Sequence, residues 1–217
     1  MTEKELASIS VSRLKTLYPN ALCALEYGED PWRLLVMARL SAQCTDKRVN
    51  LVCRDLFREI PNAFAMANAP LPKIEEMIRS CGLYHMKASD IKKMSAMLIS
   101  DYGGTVPDRM EELLRLPGVG RKIANLMLGD IYGKPAVVTD THCIRICGRL
   151  GFYPEELKDP YKVEKILVKA IEPEEQSDFC HRIVNFGRDV CTARAPKCGE
   201  CPLNDICRHF RCTDKGT

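Results

Sequence analysis

Apolar residues recur along this chain at the three- and four-residue intervals of α-helices almost everywhere. Leu34, Leu35, Ala38 and Ala42 line one face behind Asp30 and Pro31, an N-cap with proline in the first turn. Thr45 can cap the next segment, whose Val49, Val52, Cys53 and Leu56 give the i, i+3, i+4, i+7 stripe of an amphipathic helix. Ile74, Met77 and Ile78 precede a stop at Gly82, and a longer helix from Lys87 to Tyr102 ends at Gly103-Gly104. Asp108 and Glu111 have the spacing of a capping box opening Met110 to Arg115. Further helices are expected over about 120–132, 141–150, 160–172 and 176–189. The one β-like run, Ala136-Val137-Val138-Thr139, is too short to found a sheet. The pattern predicts an all-α protein without repeats or low-complexity linkers.

Composition changes this picture at few points. A chain of 217 residues can bury roughly 70% of its unfolded surface, so stability alone demands neither disulfides nor metal. No apolar run approaches the ~18 residues of a membrane span, and the opening MTEKELASIS lacks the apolar centre of a signal peptide. Neither membrane insertion nor secretion is expected. The net charge is +3, and residues 180–217 account for it with seven Lys/Arg against four Asp/Glu. A basic end suits a polyanion partner, and suits a solvated tail equally. Eight of the 12 cysteines (Cys23, Cys44, Cys53, Cys81, Cys143, Cys147, Cys180, Cys212) sit among apolar neighbours and read as small hydrophobes of a reducing compartment.

The other four form Cys191-x6-Cys198-x2-Cys201-x5-Cys207, interleaved with Pro196, Gly199 and Pro202. Four thiolates at such spacings can wrap one metal centre. Zinc and an iron–sulfur cluster both fit, and spacing does not separate them; two disulfides suit an intracellular chain less well. Arg194 and Lys197 lie in the first loop of this run, where a bound centre would stiffen the presentation of basic side chains.

Two further stretches carry chemistry. Leu116-Pro117-Gly118-Val119-Gly120-Arg121-Lys122 joins two helical patterns. Pro117 ends the first, while Gly118 and Gly120 permit positive φ and close approach of another backbone. The outgoing helix then offers amides at its positive end to a nucleic-acid phosphate without reading a base. Lys122 opposes that helix dipole, and the dipole, neighbouring Arg121 and partial burial would all favour the neutral, nucleophilic amine. A snorkelling lysine or a phosphate clamp is the plainer alternative. In Val138-Thr139-Asp140-Thr141-His142, Asp140 stands where an N-cap belongs. Amide hydrogen bonds would favour its ionised form, which suits stabilising positive charge or accepting a proton. His142 reads as a hydrogen-bonding residue of the helix start rather than a metal ligand.

These stretches, in this order, together with Leu40-Ser41-Ala42-Gln43-Cys44-Thr45-Asp46 and Gly82-Leu83-Tyr84, make the chain resemble the endonuclease III family of helix-hairpin-helix DNA glycosylases over nearly its whole length. The resemblance implies a [4Fe-4S] cluster on Cys191, Cys198, Cys201 and Cys207. It implies a six-helix barrel over residues 24–134, containing the hairpin, packed against a lobe of residues 1–23 and 135–217. Damaged double-stranded DNA would lie in the cleft, with Lys122 and Asp140 facing each other across it. By motif position, Lys122 would displace a damaged base at C1′ and form a Schiff base before β-elimination, with Asp140 stabilising the cationic sugar. Gln43 and Leu83 would fill the gap left by the extruded nucleotide. Their plain alternatives are a capping amide and a core leucine. Gly118, Val119, Gly120, Arg121, His142, Arg194 and Lys197 complete the expected DNA-contacting set.

Adenine-removing relatives lack the hairpin lysine and carry a further C-terminal domain, whereas this chain holds Lys122 and ends ten residues after Cys207. Mismatch-thymine relatives place another residue at the lysine position. Cys44 and Ile123 depart from the family pattern, where smaller or hydroxyl-bearing residues stand. The resemblance therefore implies a bifunctional glycosylase and apurinic/apyrimidinic lyase for oxidised or ring-saturated pyrimidines in base excision repair, a monomer working in the cytoplasm at the nucleoid. Its alternatives are a mismatch-specific glycosylase of the same superfamily and a non-enzymatic DNA-binding metal protein.

Overall fold

The computed structural model describes residues 1–213; residues 214–217, at the end of the expected cluster lobe, lie outside it. All regular structure among the described residues is helical, and Ala136–Asp140 runs as irregular chain. The chain divides into two compact units, one spanning Cys23–Gly133 and one combining Met1–Leu22 with the chain from Lys134 onward.

The first helix, α1 (Glu3–Leu17), opens with a capping box in which Thr2 accepts from Glu5 N and the Glu5 carboxylate accepts from Thr2 N at 2.8 Å. Periodicity alone had not singled it out. The unit from Cys23 to Gly133 follows with α2 (Pro31–Leu40), α3 (Asp46–Glu59), α4 (Ala63–Asn68), α5 (Leu71–Ile78), a 3₁₀ turn at Arg79–Cys81, α6 (Tyr84–Tyr102), α7 (Met110–Leu113) and α8 (Arg121–Asp130).

Asp30 caps α2 as expected, its Oδ1 accepting from Trp32 N at 2.9 Å and Arg33 N at 3.1 Å. The expected single apolar face is an underestimate. Trp32, Leu34, Leu35, Val36, Met37, Ala38 and Leu40 are all buried, and the helix ends before Ala42. A helix apolar and buried at every position but those of Pro31, Arg33 and Arg39 belongs at the centre of a core, and α3, α6 and α8 pack on it. The Trp32 indole donates to Ser95 Oγ at 2.9 Å, which satisfies both polar groups inside that core.

Thr45 caps α3, and Asn62 caps the short α4, which has too few residues to show a period. Helix α6 begins three residues before Lys87, because the Lys87 backbone N–H already donates to Leu83 O. Asp108 is not the N-cap of α7. Arg109 occupies the N-cap position in extended conformation, leaving Asp108 one residue too far out, and α7 stops at Leu113 rather than Arg115.

The other unit packs α1 against α10 (Pro160–Ala170) and α11 (Gln176–Asp189), and α11 and α12 (Arg208–Thr213) against α9 (Thr141–Leu150). Arg182, only 3% exposed, is held by Glu175 at 2.9 Å and Asp178 at 2.6 Å, and Lys15 reaches Glu175 at 2.6 Å. A buried guanidinium needs this pairing, since an unpaired charge there would cost several kcal/mol. Seven of the eight cysteines assigned to packing are buried or half-buried; Cys212 is exposed and does no packing work. Among the described residues no helix is long and apolar enough to cross a membrane.

Candidate active site and metal centre

The hairpin between α7 and α8 is anchored by Leu116 and Val119, both buried, with Val119 N donating to Leu116 O at 3.1 Å. Gly118 adopts φ +76°, and a Cβ there would stand 2.8 Å from Arg39 Nε and from Asp90 Cβ. Arg39 and Asp90 form a largely buried ion pair, with Nε–Oδ2 at 2.8 Å, so the turn rests on a fixed platform. The close neighbour is thus a side-chain pair, where the sequence suggested backbone. Gly120 differs from expectation: its φ is −98° and nothing lies within 4 Å of its Cβ position. Glycine there leaves open space in front of the helix rather than relieving strain.

Gly120 is the N-cap of α8 and supplies no side-chain acceptor, and the first turn holds no acidic residue. The amide end of α8 beside Arg121 and Lys122 has the polarity that suits an anion. Lys122 is exposed, which removes the partial burial expected from the sequence. Its side chain leaves the first turn of α8 without a carboxylate in that turn.

Asp140 is the N-cap of α9, with Oδ1 accepting from Cys143 N at 2.7 Å. The cap uses one carboxylate oxygen and leaves Oδ2 out of it. Below this turn lie buried Cys143, Cys147 and Cys180, and Val138 N donates to Cys180 Sγ at 3.2 Å. His142, half-buried, packs over Gly187, where a Cβ would fall 2.3 Å from its Nδ1; Arg145 Nη2 lies 3.2 Å from the same nitrogen. Lys122 belongs to one compact unit and Asp140 to the other.

Gln43 and Leu83 share an uncommon backbone state. Their φ values are +53° and +48°, in the left-handed region that costs a non-glycine residue about 1–2 kcal/mol. Gln43 is exposed and caps nothing, since Thr45 is the cap; Leu83 is 49% exposed. The capping-amide and core-leucine alternatives both fall. Strained, exposed side chains of this size at loop ends suit insertion into a ligand.

Cys191, Cys198, Cys201 and Cys207 border one partly open pocket, floored by Ile146, Leu150 and Phe186. Among the described residues no three Cys, His, Asp or Glu side chains could hold a single metal ion together. Four cysteine sulfurs around one pocket with an apolar floor fit the donor set of an iron–sulfur cluster. The loop is fastened by residues the sequence reading passed over. Arg149 donates to Cys191 Sγ at 3.4 Å, to Thr192 O at 2.8 Å and to Ala193 O at 2.9 Å, while Arg145 donates to Cys191 O at 2.9 Å. Arg13 of α1 holds the far side through Pro202 O and Asp205. Their i, i+4 spacing on an otherwise apolar stretch of α9 was the available signal for Arg145 and Arg149. Arg194 and Lys197 are exposed on this loop.

Comparison with known proteins agrees with this architecture. Residues 36–173 match the family model for HhH-GPD superfamily base excision DNA repair protein, and residues 191–207 match the iron–sulfur binding domain of endonuclease III. The endonuclease III of Synechocystis sp. is 44% identical over 95% of this chain and 93% of its own. That of Bacillus subtilis is 41% identical over 94% and 93%. A solved endonuclease III, trapped as a covalent intermediate with DNA, superposes with a TM-score of 0.92 at 40% identity over 99% of both chains. The chain belongs to the endonuclease III family of base excision DNA repair enzymes, DNA glycosylases and apurinic/apyrimidinic lyases that carry a four-iron, four-sulfur cluster.

Proposed function

We propose that Lys122 is the nucleophile of this glycosylase and lyase, acting on oxidised or ring-saturated pyrimidines in duplex DNA. The observation that carries the reading is an exposed lysine in the first turn of α8, beside a glycine-capped amide end and without an acidic partner in that turn. A stability role predicts the opposite charge there.

The steps follow from amine chemistry. The Lys122 Nζ lone pair forms a bond to C1′ as the glycosidic bond breaks, and the bonding electrons leave with the damaged base, which takes up a proton. Loss of the ammonium proton and opening of the sugar ring give a Schiff base. A proton then leaves C2′, the C3′–O bond breaks, and the 3′ phosphate departs with the electron pair. Asp140 stabilises positive charge developing on the sugar and accepts a proton, using the oxygen its cap does not occupy. Extrusion of the lesion costs a few kcal/mol of stacking, least where damage has already weakened it. Gln43 and Leu83 fill the vacated space.

Gly118, Val119, Gly120 and Arg121 shape the turn that receives a backbone phosphate, and His142 contacts DNA beside Asp140. Cys191, Cys198, Cys201 and Cys207 would hold the cluster. When bound it supplies a cross-link between four points of the loop, which fixes where Arg194 and Lys197 meet phosphate. Three of the large exposed hydrophobics, Leu22, Phe64 and Tyr161, come from separate elements, which supports a monomer, and the family's DNA substrate supports a site of action at the intracellular nucleoid.

A strand-cleavage assay tests the reading. A duplex containing thymine glycol should be cut 3′ to the lesion, leaving an unsaturated aldehyde end. Salt-sensitive retention of the same duplex with no cutting would make the protein a binding module instead.

A further inference from the structure

Lys87 is fully buried in the core of the Cys23–Gly133 unit, on the face of α6 that also buries Ala88, Ile91 and Met94. A methionine would fill that space with nearly the same volume. Instead there is an amine, whose Nζ donates to Leu40 O and to Cys81 O, both at 2.7 Å. Desolvation lowers its pKa below the ordinary lysine value, and the nearby groups acting on it are Cys81, Cys44 and Arg39, with no carboxylate among them. An amine placed in a core without an acid is costly.

The two acceptors explain the placement. Leu40 is the last residue of α2 and Cys81 the last of the 3₁₀ turn, so each carbonyl is one that a helix end leaves without an intrahelical partner. One side chain therefore caps two helix C-termini at once. Each terminus is followed within three residues by a left-handed non-glycine residue, Gln43 after the first and Leu83 after the second. Lys87 meets the second loop by its main chain too, since its N–H donates to Leu83 O at 3.1 Å.

We propose that Lys87 is a positioning residue that holds the Gln43 and Leu83 loops at a fixed spacing, so that both side chains enter the gap opened by the extruded lesion together. This rests on the gap-filling reading of Gln43 and Leu83 given above. Lys87 itself touches no substrate.

A double-mutant cycle decides the matter, measured as single-turnover excision from a thymine glycol duplex. Lys87→Met should slow excision on the order of 10²-fold, the penalty expected of a misplacement near 1 Å, and Lys87→Arg should recover part of the loss. In a Gln43→Ala, Leu83→Ala background the same Lys87→Met change should alter the rate by less than about twofold, because nothing remains to be positioned. A full loss in that background would show that Lys87 acts through the core generally and would overturn the proposal. If Gln43→Ala, Leu83→Ala itself excises at the wild-type rate, the gap-filling reading fails first, a separate and recognisable outcome that takes this proposal with it. Should Lys87→Met not fold, Lys87→Gln keeps a donor for one carbonyl and enters the same cycle; failure of both to fold would assign the residue to stability and likewise overturn the proposal.

Discussion

Gly118 sits directly on Arg39: a Cβ built at this glycine would lie 2.8 Å from Arg39 Nε, which is itself held by Asp90 at 2.8 Å. Gly118→Ala must therefore displace an ion pair as well as adopt φ +76°. We expect a loss of about 1–3 kcal/mol in denaturant unfolding and weaker binding of undamaged duplex. Gly120→Ala is the contrast. With φ −98° and open space around it, it should cost under about 1 kcal/mol yet still weaken DNA binding by crowding the phosphate site.

Asp140 combines a structural and a chemical role, and two substitutions separate them. Asp140→Asn keeps an oxygen for Cys143 N and should leave stability within about 0.5 kcal/mol of wild type. Asp140→Ala should lose about 1 kcal/mol. Both should lower excision by on the order of 10²-fold, since both remove the charge. If Asp140→Asn kept wild-type excision rates, the carboxylate would be a cap and nothing more.

The purified protein should be brown and contain about four iron and four acid-labile sulfide per chain. Cys198→Ser should lose most of that content. Arg149→Met, which removes the donor to Cys191 Sγ and both carbonyl contacts, should retain iron at first but lose it faster to a chelator. A colourless protein carrying zinc would contradict the assignment of the four-cysteine cavity.

The fold was legible from the sequence wherever a helix was long or carried its own punctuation. Asp30, Thr45 and Gly103 marked true boundaries because a cap is a local event. Asp108 misled because a capping box depends on which residue turns extended, and Arg109 does so. The exposure of Lys122 and of Leu83 is set by tertiary packing and had no local signal. Lys87 was missed for the same reason, and the i, i+4 spacing of Arg145 and Arg149 marks a helix face without saying what it meets. Their partners are backbone carbonyls 6 to 47 positions away, and a carbonyl has no letter in the sequence.

Acid should weaken the α1–α11 contact in a defined window. The hydrogen bond from Lys15, and then that from Arg182, holds the Glu175 carboxyl below its ordinary value of 4.5. A depressed folded-state pKa means stability that is fully present above about pH 4.5 and is lost as pH falls through the lower folded value. Glu175→Gln should therefore melt below wild type near pH 7, by roughly 1–3 kcal/mol, because it leaves Arg182 with Asp178 alone. The gap should close toward pH 3. A gap constant with pH would mean that the carboxylate charge contributes nothing.

Catalysis by this protein turns on a covalent bond from one amine to one carbon. Borohydride reduction of the protein mixed with a thymine glycol duplex, followed by proteolysis and mass spectrometry, tests it most directly. Lys122 chemistry should yield a stable protein–DNA adduct whose peptide maps to Lys122 and which disappears in both Lys122→Ala and Lys122→Gln. An adduct of undiminished yield in those variants, or none at all from wild-type protein that still excises the base, would contradict it.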